Sequence, residues 1–382
     1  MIPFYKLSIN NDEIEAVVEV LKNGWLTSGE KAVEFENNFA RYVGADYAIS
    51  LNSCTAALHC ALKAVGVGYG DEVIVPAMTF VATAQAVEYC GAIPVIVDVD
   101  YNTHCISIDN IKKAINNKTK AIIPVHYSGQ PCDIENIIEI AHKHKLFVIE
   151  DAAHALPSYY NGKLIGTFGD ATCFSFYANK TITTGEGGMV TTNNIEIAEK
   201  IRKLRLHGVD KDILKRKNGL SWSYDIVCLG YKYNMSDINA AIGIVQLRKA
   251  DIMHTKRTKI AEMYNKSFDQ SVYITPYTVD KHKISSWHLY PLKLNTNFKD
   301  FSIEWRDKLI LLLRQRKIAV SVHYTPLYRF SYYRKNIAEF PMSEAIYEST
   351  ISLPIYPELP EDEVNYIIEN IMEICQKIGK SC

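Results

Sequence analysis

The 382-residue chain has no excess charge of either sign, no paired cysteines and no long apolar run. Each absence excludes a class of protein. A net charge of -1 leaves no basic footprint of the kind that binds nucleic acid. The nine cysteines stand singly at 54, 60, 90, 105, 132, 173, 228, 375 and 382. Without a CxxC pair they argue against both a disulfide framework and a zinc site. No stretch is apolar over the length of a membrane span, and MIPFYKLSIN lacks the apolar core of a signal peptide. The expectation is a cytoplasmic protein with reduced thiols, no metal and no membrane or nucleic-acid partner. With only 13 prolines and 19 glycines, the chain shows no low-complexity tract or flexible linker. Its 48% hydrophobic and 22% charged residues are ordinary for a globular protein, and its length suits one large and one small domain.

From residue 47 to about 192, short apolar runs alternate with helical patterns. The predicted strands are 47–51, 72–76, 94–99, 121–127, 146–151, 171–176 and 188–192. Between them lie amphipathic stretches such as TAALHCALKAV (55–65) and IENIIEIAHKHK (134–145). Continuous apolar strands separated by helices predict a largely parallel sheet covered on both faces. Helical pattern returns at 194–206 and 236–268, the latter joining two domains rigidly. Beyond it, HLYPLKL, IAVSVHY and a helix at 361–378 predict a smaller α+β domain. The division expected is 1–250 for the large domain and 251–382 for the small one.

In parallel sheets, ligands bind beyond the carboxyl ends of strands, so those positions carry the functional reading. After YAISL, Asn52, Ser53 or Thr55 can cap a helix whose free N–H groups suit a phosphate, although most such caps bind nothing. Asp151 ends an apolar strand, where an unpaired carboxylate is costly; it caps the next turn or meets a cation. His154 follows in the same turn. Phe80 stands exposed after PAMT, and Ser175 and Lys180 follow ATCFSF. Taken alone, a strand-end lysine snorkels to water. Taken together, a phosphate-ready helix start, an aromatic plate, a buried acid and a lysine in a site of low polarity are what pyridoxal 5′-phosphate (PLP) requires. Its aldehyde condenses with a lysine of lowered pKa, and its ring nitrogen stays protonated opposite a carboxylate.

EDAAHA (150–155), FSFYANK (174–180), GEGGMV (185–190) and GYKYNMSDINAAIG (230–243) closely resemble the DegT/DnrJ/EryC1/StrS aminotransferases. The resemblance runs from GWLTSG (24–29) through VHYTPLY (322–328) to the end. It implies an α/β PLP-dependent transferase of fold type I, with a large mostly parallel sheet domain and a small α+β C-terminal domain. It implies Lys180 as the Schiff-base lysine, which also shuttles the proton, and Asp151 as partner of the ring nitrogen. His154 would reach the ring hydroxyl, Phe80 would stack on the ring, and Ser175 with the Cys54–Thr55 turn would cradle the phosphate. Family members often carry Gly where Cys54 stands. Asn234 would be donated by a neighbouring subunit, implying a homodimer with shared active sites. The softer substrate candidates are Trp25, Thr27 and Ser28 in WLTSG, and His323 and Tyr324 in HYTPLY; a packing role suits each equally well. The irregular segment 211–225 is expected to shape the substrate entrance or to be a plain solvated loop.

The implied activity moves the amino group of L-glutamate, by way of pyridoxamine phosphate, onto a nucleotide-linked keto sugar. FYANKTITTGEGGMV resembles perosamine-synthase-type members, and PVHYSG with GYKYN resembles 4-amino-4-deoxyarabinose transferases. A small phosphorylated ketone as acceptor and a non-catalytic sensor or scaffold are the competing readings. A PLP-dependent dehydratase is disfavoured, because such members replace the lysine with histidine.

Overall fold

The computed structural model describes residues 1–210, 223–297, 301–334 and 339–380. The entrance segment expected at 211–225 therefore lies outside the described residues up to 222.

The main sheet contains β1 (Tyr47–Leu51), β2 (Glu72–Pro76), β3 (Ile93–Val97), β4 (Thr119–Ile122), β5 (Phe147–Asp151), β8 (Ala171–Ser175) and β9 (Gly188–Thr192). Between β5 and β8, the short pair β6 (Tyr159–Tyr160) and β7 (Lys163–Leu164) joins β11 (Lys283–Ile284) in a separate ribbon. The main order is β1-β9-β8-β5-β4-β2-β3. β9 runs antiparallel to both neighbours, so β1 shares the direction of the remaining five strands. The carboxyl ends of β1, β2, β5 and β8 consequently open on one edge, where β9 begins.

Alternation along the strands sends successive side chains to opposite faces. Ile74, Ile122, Val148, Phe174 and Met189 belong to one buried cluster with Phe35, Phe39 and Ile137. Their neighbours Val75, Ala121, Ile149, Cys173 and Val190 belong to another, with Ala57, Ala61, Val87 and Ile201. Both faces are covered, which is why these strands read as unbroken apolar runs. Phe39 lies 5.0 Å from Phe174 and 5.5 Å from Phe176, ring to ring, and Phe35 lies 5.2 Å from Phe176. These packed rings root the segment that leads to Lys180, and aromatic pairs of this kind add about 0.5–1.5 kcal/mol each beyond area burial.

The helical stretch expected over 236–268 is two helices, Asp237–Arg248 and Ala250–Phe268. The break at Lys249 lets one chain segment serve two cores. Ile244, Leu247 and Met253 pack in the large domain, while Ile260, Tyr264 and Phe268 pack in the small one. Neither Pro nor Gly marks the break. The small core also takes in Ile2, whose backbone pairs with Ile318. There, β10 (Ile274–Thr275), β12 (Tyr290–Leu294) and β13 (Thr350–Leu353) form an antiparallel sheet beside the helices Ile303–Gln315 and Glu361–Lys380. IAVSVHY forms no strand. Ile318 bridges to Ile2 and Ser321 to Ser352, two different partners that never make a continuous ladder. Among the described residues no helix is long and apolar enough to cross a membrane, and the described cysteines are free thiols.

Candidate active site

A cavity of about 520 Å³ opens at the carboxyl edge of the sheet, within the size range of small-molecule sites. Cys54, Thr55, Phe80, Asp151, Ser175, Lys180, His323 and Tyr324 all line it. They come from four strand ends and, for the last two, from the small domain.

The wall after β1 is the helix Cys54–Ala64, capped by Ser53, whose Oγ accepts the N–H of Ala56 at 3.1 Å. Ala57 N–H is used by Ser53 O, but among the described residues the amides of Cys54 and Thr55 have no acceptor. They face the cavity side of a helix start, where the macrodipole favours an anion. Gly188 makes this closeness possible: a Cβ there would lie 2.4 Å from the carbonyl of Ser53 and 2.7 Å from the nitrogen of Cys54. The Cys54 thiol is pushed up by burial and by the charge of Asp151, so it stays protonated.

Asp151 is the last residue of β5 and is buried. Its Oδ2 accepts from Thr83 Oγ1 at 2.8 Å and its Oδ1 from Ala153 N–H at 3.1 Å. Because the single hydroxyl proton of Thr83 is thus engaged, Thr79 Oγ1, 2.7 Å away, donates to Thr83. Burial raises the carboxyl pKa, opposed by these hydrogen bonds and by the charges of Lys180 and His126. This is a desolvated anion that a cation in the cavity would relieve. Thr83 had no mark in the sequence, since its contact spans 68 positions and depends on β2 and β5 lying near one another.

Lys180 follows β8 in a turn closed by its own N–H to Tyr177 O at 2.9 Å. Desolvation lowers its ammonium to about 8, with Cys54 and Asp151 pulling the other way. At pH 7 about a tenth of such a lysine is the neutral amine, against less than about one in a thousand for an ordinary one. His323 is stacked on Phe4 at 5.4 Å, and its Nδ1 lies 2.9 Å from Ser352 Oγ. Burial holds this imidazole down at about 4, so it is neutral.

Five other sequence candidates stand outside the cavity. His154 is buried behind Tyr324, with Nε2 3.0 Å from the phenol oxygen. Trp25, Thr27, Ser28 and Asn234 form a group of their own, tied to each other and to residues 235–237. Trp25 Nε1 donates to Ser28 O at 3.1 Å, and Asn234 Nδ2 donates to Ser28 Oγ at 2.8 Å. Ser28 Oγ donates to Met235 O, and Thr27 O accepts from Asp237 N–H. The cavity has lining residues that were not singled out as site candidates, including Thr83, Asn179 and Glu186.

The residues present fit PLP. An anion-ready helix start, a buried carboxylate short of a cation, an exposed aromatic ring at Phe80 and a lysine of lowered pKa share one cavity of adequate volume.

Comparison with known proteins agrees. Residues 7–372 match the DegT/DnrJ/EryC1/StrS aminotransferase family. The chain is 48% identical over 378 residues to MJ1066, an uncharacterized protein of Methanocaldococcus jannaschii, covering 98% of this chain and 97% of that one. It is 43% identical over 380 residues to the spore coat polysaccharide biosynthesis protein SpsC of Bacillus subtilis, again covering 98% and 97%. Among solved structures it resembles Spr1654 of Streptococcus pneumoniae, a candidate sugar aminotransferase. Against the pyridoxamine-phosphate form the TM-score is 0.93 at 36% identity, covering 99% of this chain and 100% of that one. Against the PLP form the TM-score is 0.91 at 35% identity, covering 99% of each chain. The chain therefore belongs to the DegT/DnrJ/EryC1/StrS aminotransferase family and is a PLP-dependent aminotransferase of fold type I.

Proposed function

We propose that the enzyme moves the amino group of L-glutamate to a keto sugar carried on a nucleotide, with a 4-keto-6-deoxy sugar for a surface polysaccharide or glycan as the acceptor. The observation carrying this reading is the convergence of Lys180, Asp151 and the Ser53–Thr55 helix start on one cavity that is open at its mouth. Phe80 and Tyr177 line it and remain 59% and 47% exposed, so an acceptor longer than a monosaccharide can extend outward. The relation to a polysaccharide biosynthesis protein supports the destination, and L-glutamate is the donor that the resemblance implied.

In this reading the amides of Cys54 and Thr55 and the hydroxyl of Ser175 hold the cofactor phosphate, Phe80 covers the ring, and Asp151 faces the ring nitrogen. PLP supplies an electron sink for the carbanion formed when the donor loses its Cα proton. Lys180 would hold the cofactor covalently through its Nζ. As a free amine, Lys180 would be suited by its lowered pKa to take that proton and return it one position away. His323 and Tyr324 would wall the cavity on the side of the small domain.

Two arrangements complete the proposal. The chain divides near residue 250 into a large and a small domain, with Ile2 added to the small core. Two chains form a dimer in which Asn234, absent from the lining of its own cavity, serves the neighbour's site. Exposed apolar residues at Ile226, Val227 and Leu229, near it in sequence, supply a surface for the contact. Sedimentation equilibrium should give twice the chain mass; a monomer at working concentration rules out shared sites.

The acceptor is tested with enzyme first converted to its amino form by L-glutamate. Nucleotide-linked 4-keto sugars should reoxidise it with a kcat/KM at least about 100-fold above that of small phosphorylated ketones, the scale at which recognition of extra polar groups operates. The reverse ranking would overturn the sugar assignment. Failure of every acceptor, with no amino form generated, would favour a sensor or scaffold.

A further inference from the structure

Asp98 directly follows β3 and is buried, and its charge is met by N–H and O–H groups of a distant segment. Its Oδ2 accepts the backbone N–H of Met342 at 2.9 Å. Its Oδ1 accepts that of Ser343 at 2.8 Å, together with the Ser343 hydroxyl. These amides belong to the first turn of the helix Pro341–Ser349, whose preceding residue, Phe340, supplies no side-chain cap. Pro341 has no N–H to satisfy. A carboxylate 244 positions away in sequence therefore completes the helix start and meets its dipole.

The helix that Asp98 caps joins the two domains. Ile346 packs with Met78 and Val99 of the large domain. The last helical residue leads straight into β13 of the small sheet, where Ser352 Oγ lies 2.9 Å from His323 Nδ1. In the first turn, Glu344 accepts from the Tyr328 hydroxyl and from Arg329 Nε, the latter at 3.2 Å. Beside them Leu327 is buried in the large-domain core and donates its N–H to Ala77 O at 3.0 Å. Tyr324, on the same short segment, lines the cavity with its ring 6.1 Å from that of Phe80. One helix thus reaches both cavity residues of the small domain, Tyr324 through Glu344 and His323 through Ser352.

We infer that Asp98 is a positioning residue for amino transfer: by capping this helix it holds the Tyr324 and His323 wall of the cavity in place. It does not line the cavity and acts through the helix. The inference rests on the proposed function. Lys180 and Asp151 are held separately, by the turn after β8 and by Thr83 and Ala153. The loss of Asp98 should therefore fall on retention of the substrate and spare the chemical step.

The experiment has two arms on the PLP-loaded protein: stopped-flow bleaching of the visible band by L-glutamate, and hydrogen exchange read by mass spectrometry. In Asp98→Ala the L-glutamate concentration for half-maximal bleaching rate should rise about tenfold, with the saturating rate within about threefold of wild type. Exchange should quicken about tenfold in peptides covering 341–349 and 323–329, and stay unchanged over 171–180. Asp98→Asn keeps an acceptor for Ser343 and should lie between Asp98→Ala and wild type. Glu344→Ala cuts the tie to Tyr328 and Arg329 but leaves the cap. It should raise the half-saturating concentration in the same direction, and the double variant should fall short of the combined effect. Should Asp98→Ala not fold, Asp98→Asn and Glu344→Ala carry the same comparison. An unchanged half-saturating concentration overturns the inference even if exchange quickens, because Asp98 is then a structural cap alone. A raised concentration with unchanged exchange over 323–329 overturns the route through the helix. A wild-type protein that forms no band with PLP, or does not bleach, removes the reaction on which the inference rests.

Discussion

Lys180→Ala is expected to slow amino transfer by about 10⁴-fold or more, since one side chain supplies both the covalent hold on PLP and the proton transfers. The loss should be chemical and not structural. Lys180 is only partly buried, and its ammonium makes no ion pair among the described residues, so the variant should fold and still bind PLP without covalent attachment. The same lysine sets a pH dependence. Its pKa is depressed to about 8, and only the neutral amine condenses with an aldehyde. Capture of PLP by the apoprotein should therefore speed up as pH rises toward about 8 and then level off. A solvated lysine would keep accelerating toward its ordinary value of 10.5. Stopped-flow absorbance across that range separates the two.

Asp151→Asn should lower kcat by roughly 10²–10³-fold, the scale on which one preorganised electrostatic partner acts. Its effect on the fold should be the opposite of what loss of a buried hydrogen-bonded residue normally brings. The folded carboxyl has a pKa above its unfolded value, mainly because it is desolvated. Such a group disfavours the apoprotein as pH rises through the raised folded value, and the penalty persists at neutral pH. Asparagine is uncharged and can still serve the positions facing Thr83 and Ala153. The apoprotein Tm should thus be unchanged or higher, while the rise in Tm on adding PLP should shrink. A variant that loses apo stability and keeps its response to PLP would show that Asp151 is a structural cap.

Much of the architecture was legible because the strands obey simple rules. A strand buried on both faces has no polar residue to interrupt it, so the seven main strands appear as apolar runs bounded by turns. Edges were less sharp. The fourth strand ends at Ile122 although the apolar run goes on, because Pro124 lacks an N–H for a ladder and the chain turns toward His126. Lys180 and Asp151 each had an ordinary reading alone and were visible only in combination with the other strand-end residues and the motifs around them. Thr83 and the reach of Asp98 to a distant helix were not visible. A hydroxyl in VATAQ resembles any helical threonine until β5 brings Asp151 within 2.8 Å. Asp98 depends on the backbone of Met342 and Ser343, which no spacing rule connects to it. WLTSG and Asn234 carried motif resemblance, but in a single chain they meet each other and the 235–237 segment instead of the cavity.

The assignment of Lys180 and its cavity is tested most directly by the absorption spectrum of the purified protein with PLP, before and after L-glutamate, beside Lys180→Ala. The expected result is a visible band in the wild type that bleaches to the pyridoxamine phosphate form on adding L-glutamate, with no such conversion in the variant. A wild-type protein that forms no band with PLP, or a variant that bleaches as readily as the wild type, would contradict it.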